Sequence, residues 1–316
     1  MEQCTGYDIP ILVNFYKNQK RVQRLFGVLA KVKPTRLYLF QDGGDNEKDE
    51  ALLNSSFEYV KSLIVWPCET KFLRYQEDVG SAAADFYALK WMFKTEEMGI
   101  FIEDDQNPDV SFFDYCRELL IKYKDENRVS YISGVNPWGL FGEQNNDYFF
   151  STRGSLFCWG TWKRFVDLFD ETYSWLDIRH CKKILIESST DEFGAKSTIK
   201  KARRLRDTQK PDIEVLACAT TVFNHMLAVV PTRNLIMNCG VDAGTQNGSD
   251  KLALMPKKNQ KQFFAKTYEM VMPLREPPFI YEEPGYKDYY HSTWASRLHT
   301  KLAVAVRRIV FGRKKK

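Results

Sequence analysis

The first half of the chain alternates short apolar runs with longer stretches in which apolar residues recur every three or four positions. Pro10-Ile11-Leu12-Val13-Asn14-Phe15-Tyr16 predicts a buried strand, and Asn18 to Lys31 a helix with Val22, Leu25, Leu29 and Val32 on one face. Arg36 to Phe40 predicts a second strand, Glu47 to Lys61 a helix, and the apolar run Ser62 to Trp66 a third strand. Gly80 to Lys94 has helical spacing, with Ala84, Ala88, Trp91 and Met92 together. Gly99-Ile100-Phe101-Ile102 predicts a fourth strand, Ser111 to Lys124 a helix, and Val129 to Ile132 a further strand. This alternation argues an α/β fold, a mostly parallel sheet with helices on both faces. Ligands of such sheets sit outside the carboxyl ends of the strands. Gln41-Asp42-Gly43-Gly44 and Glu103-Asp104-Asp105 both fall at such ends.

After Pro137 the pattern loosens. A helix is expected near Trp162 to Phe169, a long polar stretch runs to Lys210, and regular structure resumes from Ile213 to Val230. From Thr245 the chain is polar and Pro-rich until an expected helix at Trp294 to Phe311. That helix carries an apolar stripe of Trp294, Leu298, Leu302 and Val306, with Arg297, Lys301, Arg307 and Arg308 largely off it. A basic amphipathic helix of this kind suits either an anionic bilayer surface or packing on the protein itself. The division expected is 1–245 as the catalytic domain and 246–316 as a C-terminal helical extension.

Charge and cysteine usage narrow the setting. The net charge is +5, with six Lys or Arg in the last ten residues and acidic clusters toward the N-terminus. Seven cysteines without any C-x-x-C argue against a disulfide framework and for a reducing compartment. With no signal peptide and no spanning run in view, the expected place is the cytoplasm, with peripheral attachment to the cytoplasmic face of a membrane through the C-terminal helix.

The acidic strand end is where chemistry is expected. Three adjacent carboxylates repel one another unless a cation sits among them. If the segment stays extended, Glu103 and Asp105 point one way and Asp104 the other. A hard ion, Mn²⁺ or Mg²⁺, needs few protein oxygens when a diphosphate supplies the rest, and it stabilises a departing nucleoside diphosphate. A solvated acidic turn before the Ser111 helix is the plain alternative.

Gly99-Ile100-Phe101-Ile102-Glu103-Asp104-Asp105-x-x-Pro108-x-x-x-Phe112-Phe113-x-Tyr115 resembles the metal-site motif of GT-A glycosyltransferases, in particular the N-acetylglucosaminyltransferase I type and bacterial surface-glycan enzymes. The resemblance continues in Pro10 to Val13, Leu39 to Gly43, Ser133-Gly134-Val135-Asn136, Tyr148 to Ser151 with Cys158 to Trp162, and Pro231 to Gly240, and so covers roughly residues 10 to 245. It implies a GT-A fold and transfer of a sugar from a nucleotide-sugar, foremost a UDP-sugar, to a glycan or lipid-linked glycan. It implies Asp105 as metal ligand, Asp104 at the ribose and Asp42 at the uracil or ribose. Tyr16, Lys17, Lys20 and Glu103 are placed on the donor side, and Asn136, Trp159 and Trp162 on the acceptor side. Two departures stand out. Where relatives often carry Arg soon after the first strand, this chain has Asn18 between Lys17 and Lys20, and where they place an acidic residue after Trp, Glu214 follows Ile213.

Inverting transfer needs a carboxylate to take the acceptor's proton. Glu214 is the first choice, because it opens the apolar run Val215 to Ala219 that suits a buried base; Asp191 and Glu192 are the alternatives, in a polar run that reads as a loop. Trp159 and Trp162 suit a sugar ring or the core. Lys196 to Lys210, with seven Lys or Arg and one Asp, suits a phosphate-gripping loop or a solvated helix. A sugar-nucleotide nucleotidyltransferase shares fold and metal but wants a Gly-rich loop after the first strand, where Lys17-Asn18-Gln19-Lys20 has no glycine. Nucleic-acid binding leaves the acidic strand end unexplained, so no nucleic-acid partner is expected. A sugar-binding relative without catalysis remains the other non-enzymatic alternative.

Overall fold

The computed structural model describes residues 6–44, 46–141, 145–188, 192–240, 260, 263–286 and 302. The chain opens with β1 (Ile11–Phe15), α1 (Gln19–Val32), β2 (Arg36–Gln41), α2 (Glu47–Leu63), β3 (Glu69–Arg74), α3 (Ser81–Met92) and β4 (Met98–Glu103). It continues through β5 (Gln106–Pro108), α4 (Ser111–Lys122), β6 (Val129–Ser133), β7 (Tyr148–Ser151), β8 (Trp159–Trp162) and α5 (Lys163–Val166). A 3-10 turn at Ser174–Asp177 leads to α6 (Arg179–Glu187), α7 (Glu192–Asp207), α8 (Ile213–Phe223), β9 (Leu227–Pro231) and β10 (Ile236–Asn238).

Among the described residues, eight strands form one sheet in the order β3-β2-β1-β4-β8-β6-β9-β7, and β5 pairs with β10 apart from it. The β3-β2-β1-β4 half is parallel throughout. In the other half β8 runs antiparallel to both β4 and β6, β9 runs parallel to β6, and β7 is antiparallel to β9. The result is a Rossmann-like mixed α/β fold, the class the alternation predicted. The side-chain period of two divides β1 between two cores: Ile11, Val13 and Phe15 join α1 and α4 on one face, while Leu12 joins α3, α7 and α8 on the other.

Asn18 starts α1 by accepting from the Arg21 amide, and Val22, Leu25, Phe26 and Leu29 form the buried stripe. Asn46 caps α2 in the same way, ahead of Glu47, Asp49 and Glu50, whose charges suit a helix start.

Three segments differ from expectation. The run Ser62 to Trp66 is not a strand: its first two residues end α2, Val65 is 80% exposed, and Trp66 turns inward to donate to the Pro34 carbonyl. The third strand is Glu69–Arg74, an edge strand with β2 as its one neighbour, so its residues stay polar and half-exposed. The helix expected near Trp162 to Phe169 is shorter: Trp162 ends the strand Trp159–Trp162, and α5 covers only Lys163–Val166. The polar run at Glu192, read as a loop, starts α7, and Lys196 to Lys210 takes the helical one of its two readings over most of its length, with Ala195, Ile199, Ala202 and Leu205 giving α7 a narrow inward face.

Residues 263–286 pack back on the sheet rather than standing apart. Asp147 pairs with Arg275 at 2.7 Å, Phe150 bridges to Glu282, and Tyr286 is buried against Phe141 and Phe149. The expected Trp294–Phe311 helix lies, Leu302 apart, outside the described residues. No described helix is long and apolar enough to cross a membrane. Cys68, Cys116, Cys158, Cys181, Cys218 and Cys239 are all without disulfides.

Candidate functional site

From β1 the chain moves outward through β2 to β3, then crosses back to place β4 on the other side of β1. That reversal leaves a crevice above the carboxyl ends of β1 and β4. A cleft of about 420 Å³ lies there. Asn14 and Tyr16 line it from the end of β1, Arg21 from α1, Asp42 from the end of β2, Ser81 and Ala84 from α3, and Glu103, Asp104 and Asp105 from the end of β4. Two of these groups were legible as strand-end signals. The fold adds Asn14, Arg21 and the neighbouring Asp85.

The acidic triplet does not alternate as an extended strand. β4 stops at Glu103, and Asp104–Asp105 make the turn into β5. Asp104 accepts from the Tyr16 amide at 3.1 Å. Asp104 and Asp105 both lie beside Arg21 Nη1, at 3.9 and 4.0 Å. At Glu103, Gln106 donates to the carboxylate and accepts from the backbone N–H. The turn, not the pleat, decides these directions, which corrects the expected pairing of Glu103 with Asp105.

Arg21 was missed because the expected cation was sought at residues 17 to 20. It is the third residue after the Asn18 cap, so the first turn of α1 brings it to the strand ends. Its Nη2 also donates to the Gly240 carbonyl at 2.8 Å. The Cys239 amide donates to the Asp105 carbonyl at 2.7 Å, so the end of β10 is tied down over the acidic turn. A Cβ built on Gly240 would come within 2.1 Å of Asp105 Oδ2, so any larger residue there would displace the Asp105 carboxylate.

Beneath the cleft, Asn14 Nδ2 donates to Asp85 Oδ1 at 2.5 Å. Burial pushes Asp85 up to about 7; the Asn14 bond opposes that rise, and the charges of Asp105, Glu214 and Asp212 add to it. Burial also raises Glu103 well above the usual carboxylate range, helped by Asp85, Asp105, Asp104 and Glu214. One signal for Asp85 is present in the sequence: an acid on the α3 face that also carries Leu89 and Met92, both fully buried.

The remaining candidates divide clearly. Lys17 reaches Asp49 at 2.7 Å across the Tyr16 ring, and Lys20 is exposed; neither lines the cleft. The basic residue that lines the cleft is Arg21. Tyr16 lines the cleft and donates its hydroxyl to the Gly43 carbonyl. Asn136 is 1% exposed and bonded to the chain: its amide N–H₂ donates to the Pro231 carbonyl, and its side-chain oxygen accepts from Trp138 N. Trp159 and Trp162 are 1% and 2% exposed. Trp159 packs on Phe101 and Tyr131, and Trp162 donates to the Leu120 carbonyl. The placement of both tryptophans on the acceptor side is thus corrected. β8 is inserted between β4 and β6, which puts both rings in the core.

Glu214 is not the buried residue expected. It sits in the first turn of α8, with its side chain 69% exposed and 3.1 Å from Lys201. The buried acid there is Asp212, which caps α8 and also meets Lys201, at 2.7 Å. Glu214 lines a second cleft, of about 250 Å³, together with Arg153 and the 154–157 segment. That segment leads to Cys158, whose amide donates to Gln106 and so connects it to Glu103. Glu192 starts α7 and pairs with Lys196 on the surface, away from both clefts; Asp191 lies outside the described residues.

Among the described residues, no three His, Cys, Asp or Glu side chains are grouped to hold a metal unaided. The donor set still fits a hard cation bound in company. Asp104 and Asp105 bring carboxylate oxygens to the cleft, and the other ligands of such an ion would have to come from a bound oxygen-rich ligand or water.

No protein-family model matches the chain, and no curated protein matches it. Several solved structures resemble it. The mannosyltransferase PcManGT from Pyrobaculum calidifontis, in complex with GDP-Man and Mn²⁺, aligns over 98% of this chain and 88% of its own at 10% identity and a TM-score of 0.37. A UDP-glucose pyrophosphorylase complexed with UDP-glucose aligns over 78% of this chain and 98% of its own, at 7% identity and a TM-score of 0.38. HddC from Yersinia pseudotuberculosis aligns over 51% of this chain and 79% of its own, at 14% identity and a TM-score of 0.31. Scores this low bring no function with them, and the chemistry rests on the residues of the cleft.

Proposed function

We propose that the chain is a metal-dependent glycosyltransferase of the GT-A kind, taking a sugar from a nucleotide-sugar and passing it to a glycan or lipid-linked glycan. The observation that carries this reading is the grouping of Asp104, Asp105 and Arg21 in one cleft at the reversal point of the sheet. Adjacent anionic and cationic groups suit a ligand that brings both a divalent ion and a diphosphate. Asp105 and Asp104 hold the Mn²⁺ or Mg²⁺, and the ion, when bound, offsets negative charge on the departing nucleoside diphosphate. Arg21, beside these two carboxylates, binds the same diphosphate. Asn14 and Gln106 keep the deeper carboxylates, Asp85 and Glu103, in fixed positions.

Glu214 is the base in this reading. Its charge is among those that raise Asp85 and Glu103, and its side chain lines the second, open cleft. A carboxylate lining such a cleft can accept a hydroxyl proton from an acceptor that enters there. The C-terminal basic helix expected from the sequence would carry the enzyme to an anionic bilayer, where lipid-linked acceptors lie.

The test is release of nucleoside diphosphate from a set of UDP- and GDP-sugars by the purified full chain, with Mn²⁺ and with chelator. Metal-dependent release supports the reading. Absence of both release and nucleotide binding for every donor would end it. Pyrophosphate release from a nucleoside triphosphate and a sugar 1-phosphate would make the chain a nucleotidyltransferase instead.

A further inference from the structure

The Asp42 carboxylate is enclosed by backbone donors. Oδ1 accepts from Gly43 N at 3.0 Å and from Val79 N at 3.2 Å, and Oδ2 accepts from Gly80 N at 3.2 Å. Asp42 is 7% exposed, and three N–H bonds from two separate segments already surround its two oxygens. Burial and the nearby charge of Asp78 press its affinity for a proton upward, while the bonds from Val79 and Gly43 oppose this. The next residue makes the same connection by shape. A Cβ on Gly43 would stand 2.4 Å from Glu77 N and 2.6 Å from the Gln76 carbonyl carbon, so the 76–77 backbone lies directly on Gly43. The Tyr75 amide donates to the Gln41 carbonyl, which extends the contact back into β2. Residues 75–80 are therefore laid along the end of β2, and Gly80 in turn accepts the first amide bonds of α3. Asp78, Gly80, Ser81 and Ala84 then form one wall of the donor cleft.

We propose that Asp42 is a positioning residue that holds the 78–80 segment and the start of α3 as a wall of the cleft. A carboxylate has about four acceptor positions, and three of them are engaged here by N–H groups of the chain itself. Losing Asp42 then loosens the wall and weakens all nucleotides alike. The inference rests on the donor reading of the cleft, but its first measurement does not.

Asp42→Asn is close to isosteric. It turns an amide N–H₂ toward N–H groups and so loses at least one acceptor. Hydrogen exchange of the ligand-free protein should show faster exchange at Val79 and Gly80 by roughly tenfold or more, the loss expected for a charge-assisted bond. UDP and GDP dissociation constants should then rise by the same factor, with turnover at saturating donor little changed. Gly43→Ala pushes the same segment from the other side and leaves the Asp42 carboxylate intact, so it should reproduce the pattern. Unchanged exchange at Val79 and Gly80 in Asp42→Asn overturns the proposal. So does a loss confined to one nucleotide, or normal nucleotide binding by Gly43→Ala while Asp42→Asn loses it. If the wild-type chain binds neither UDP nor GDP, the donor reading fails, and the exchange result alone decides whether Asp42 clamps the segment.

Discussion

The two acidic groups at the carboxyl edge of the sheet differ in how they are built. At the end of β4, Glu103, Asp104 and Asp105 are enclosed by Gln106, the Tyr16 amide, Arg21 and the Gly240 segment. At the start of α8, Glu214 stands 69% exposed, with Lys201 as its partner. The first arrangement brings like charges together at a cost that a bound cation offsets. The second leaves one carboxylate reachable from an open cleft. Under the proposed function, the first arrangement would serve the donor and the second the acceptor.

The strongest test of the contrast is Asp105→Ala. Turnover measured as nucleoside diphosphate release should fall to the level seen in excess chelator, with the far-UV spectrum unchanged. Full turnover in that variant would remove the β4 end from the chemistry.

Glu214→Gln keeps volume but takes up no proton, so turnover should fall by roughly 10²–10⁴-fold with nucleotide affinity nearly constant. If Glu192→Gln or Asp191→Asn shows that signature and Glu214→Gln does not, the base is elsewhere. Lys201→Met removes the exposed pair with Glu214, worth little, and also the partner of buried Asp212, so its main effect should appear in stability.

Gly240→Ala sharpens the contrast without touching a carboxylate. The new Cβ collides with Asp105 Oδ2, which must move. Mn²⁺ affinity in the presence of nucleoside diphosphate should drop by roughly 10–100-fold, as for other groups that orient a ligand. Equal metal affinity in variant and wild type would show that Asp105 keeps its role after displacement.

The smallest effect concerns Asp85 and is read in stability. Its folded value of about 7 lies above an unfolded value of roughly 3.9, so between those values the native state holds more protons than the unfolded one. Stability from this group is therefore fully present below about pH 4 and is lost as pH rises toward 7. Asp85→Asn keeps an acceptor for Asn14 and removes the titration. The melting temperature at pH 8 without metal should rise by ~5 °C relative to wild type, with little change at pH 4. A parallel pH dependence in both proteins would mean that Asp85 stays charged in the fold.

The uneven legibility of the molecule follows the same boundary. In the parallel half, Ile11 to Val13 and Gly99 to Ile102 are continuous apolar runs, as strands covered on both faces must be. Their carboxyl ends could be read as ligand positions for that reason alone. β3 escaped because an edge strand has no need of such a run, while the apolar Ser62–Trp66 segment ends a helix and supplies one ring to the core. In the mixed half, Trp159 and Trp162 could not be assigned from local pattern. Whether an aromatic faces a cleft or a core depends on β8 entering between two strands distant in sequence.

By itself the sequence determined the strand–helix order of the first half, the third strand's position apart, and the placing of Asp42 and Asp105 at strand ends. These depend on residues a few positions apart, where periodicity and side-chain chemistry act directly. Only the tertiary structure decided that Arg21 meets Asp104 and Asp105, that Gly240 closes over Asp105, that Asp85 lies beneath the cleft, and that Glu214 stays exposed. Each of those facts joins segments separated by tens to hundreds of residues. The energy of a charge depends on what surrounds it, so its role was settled only when the sheet brought those segments together.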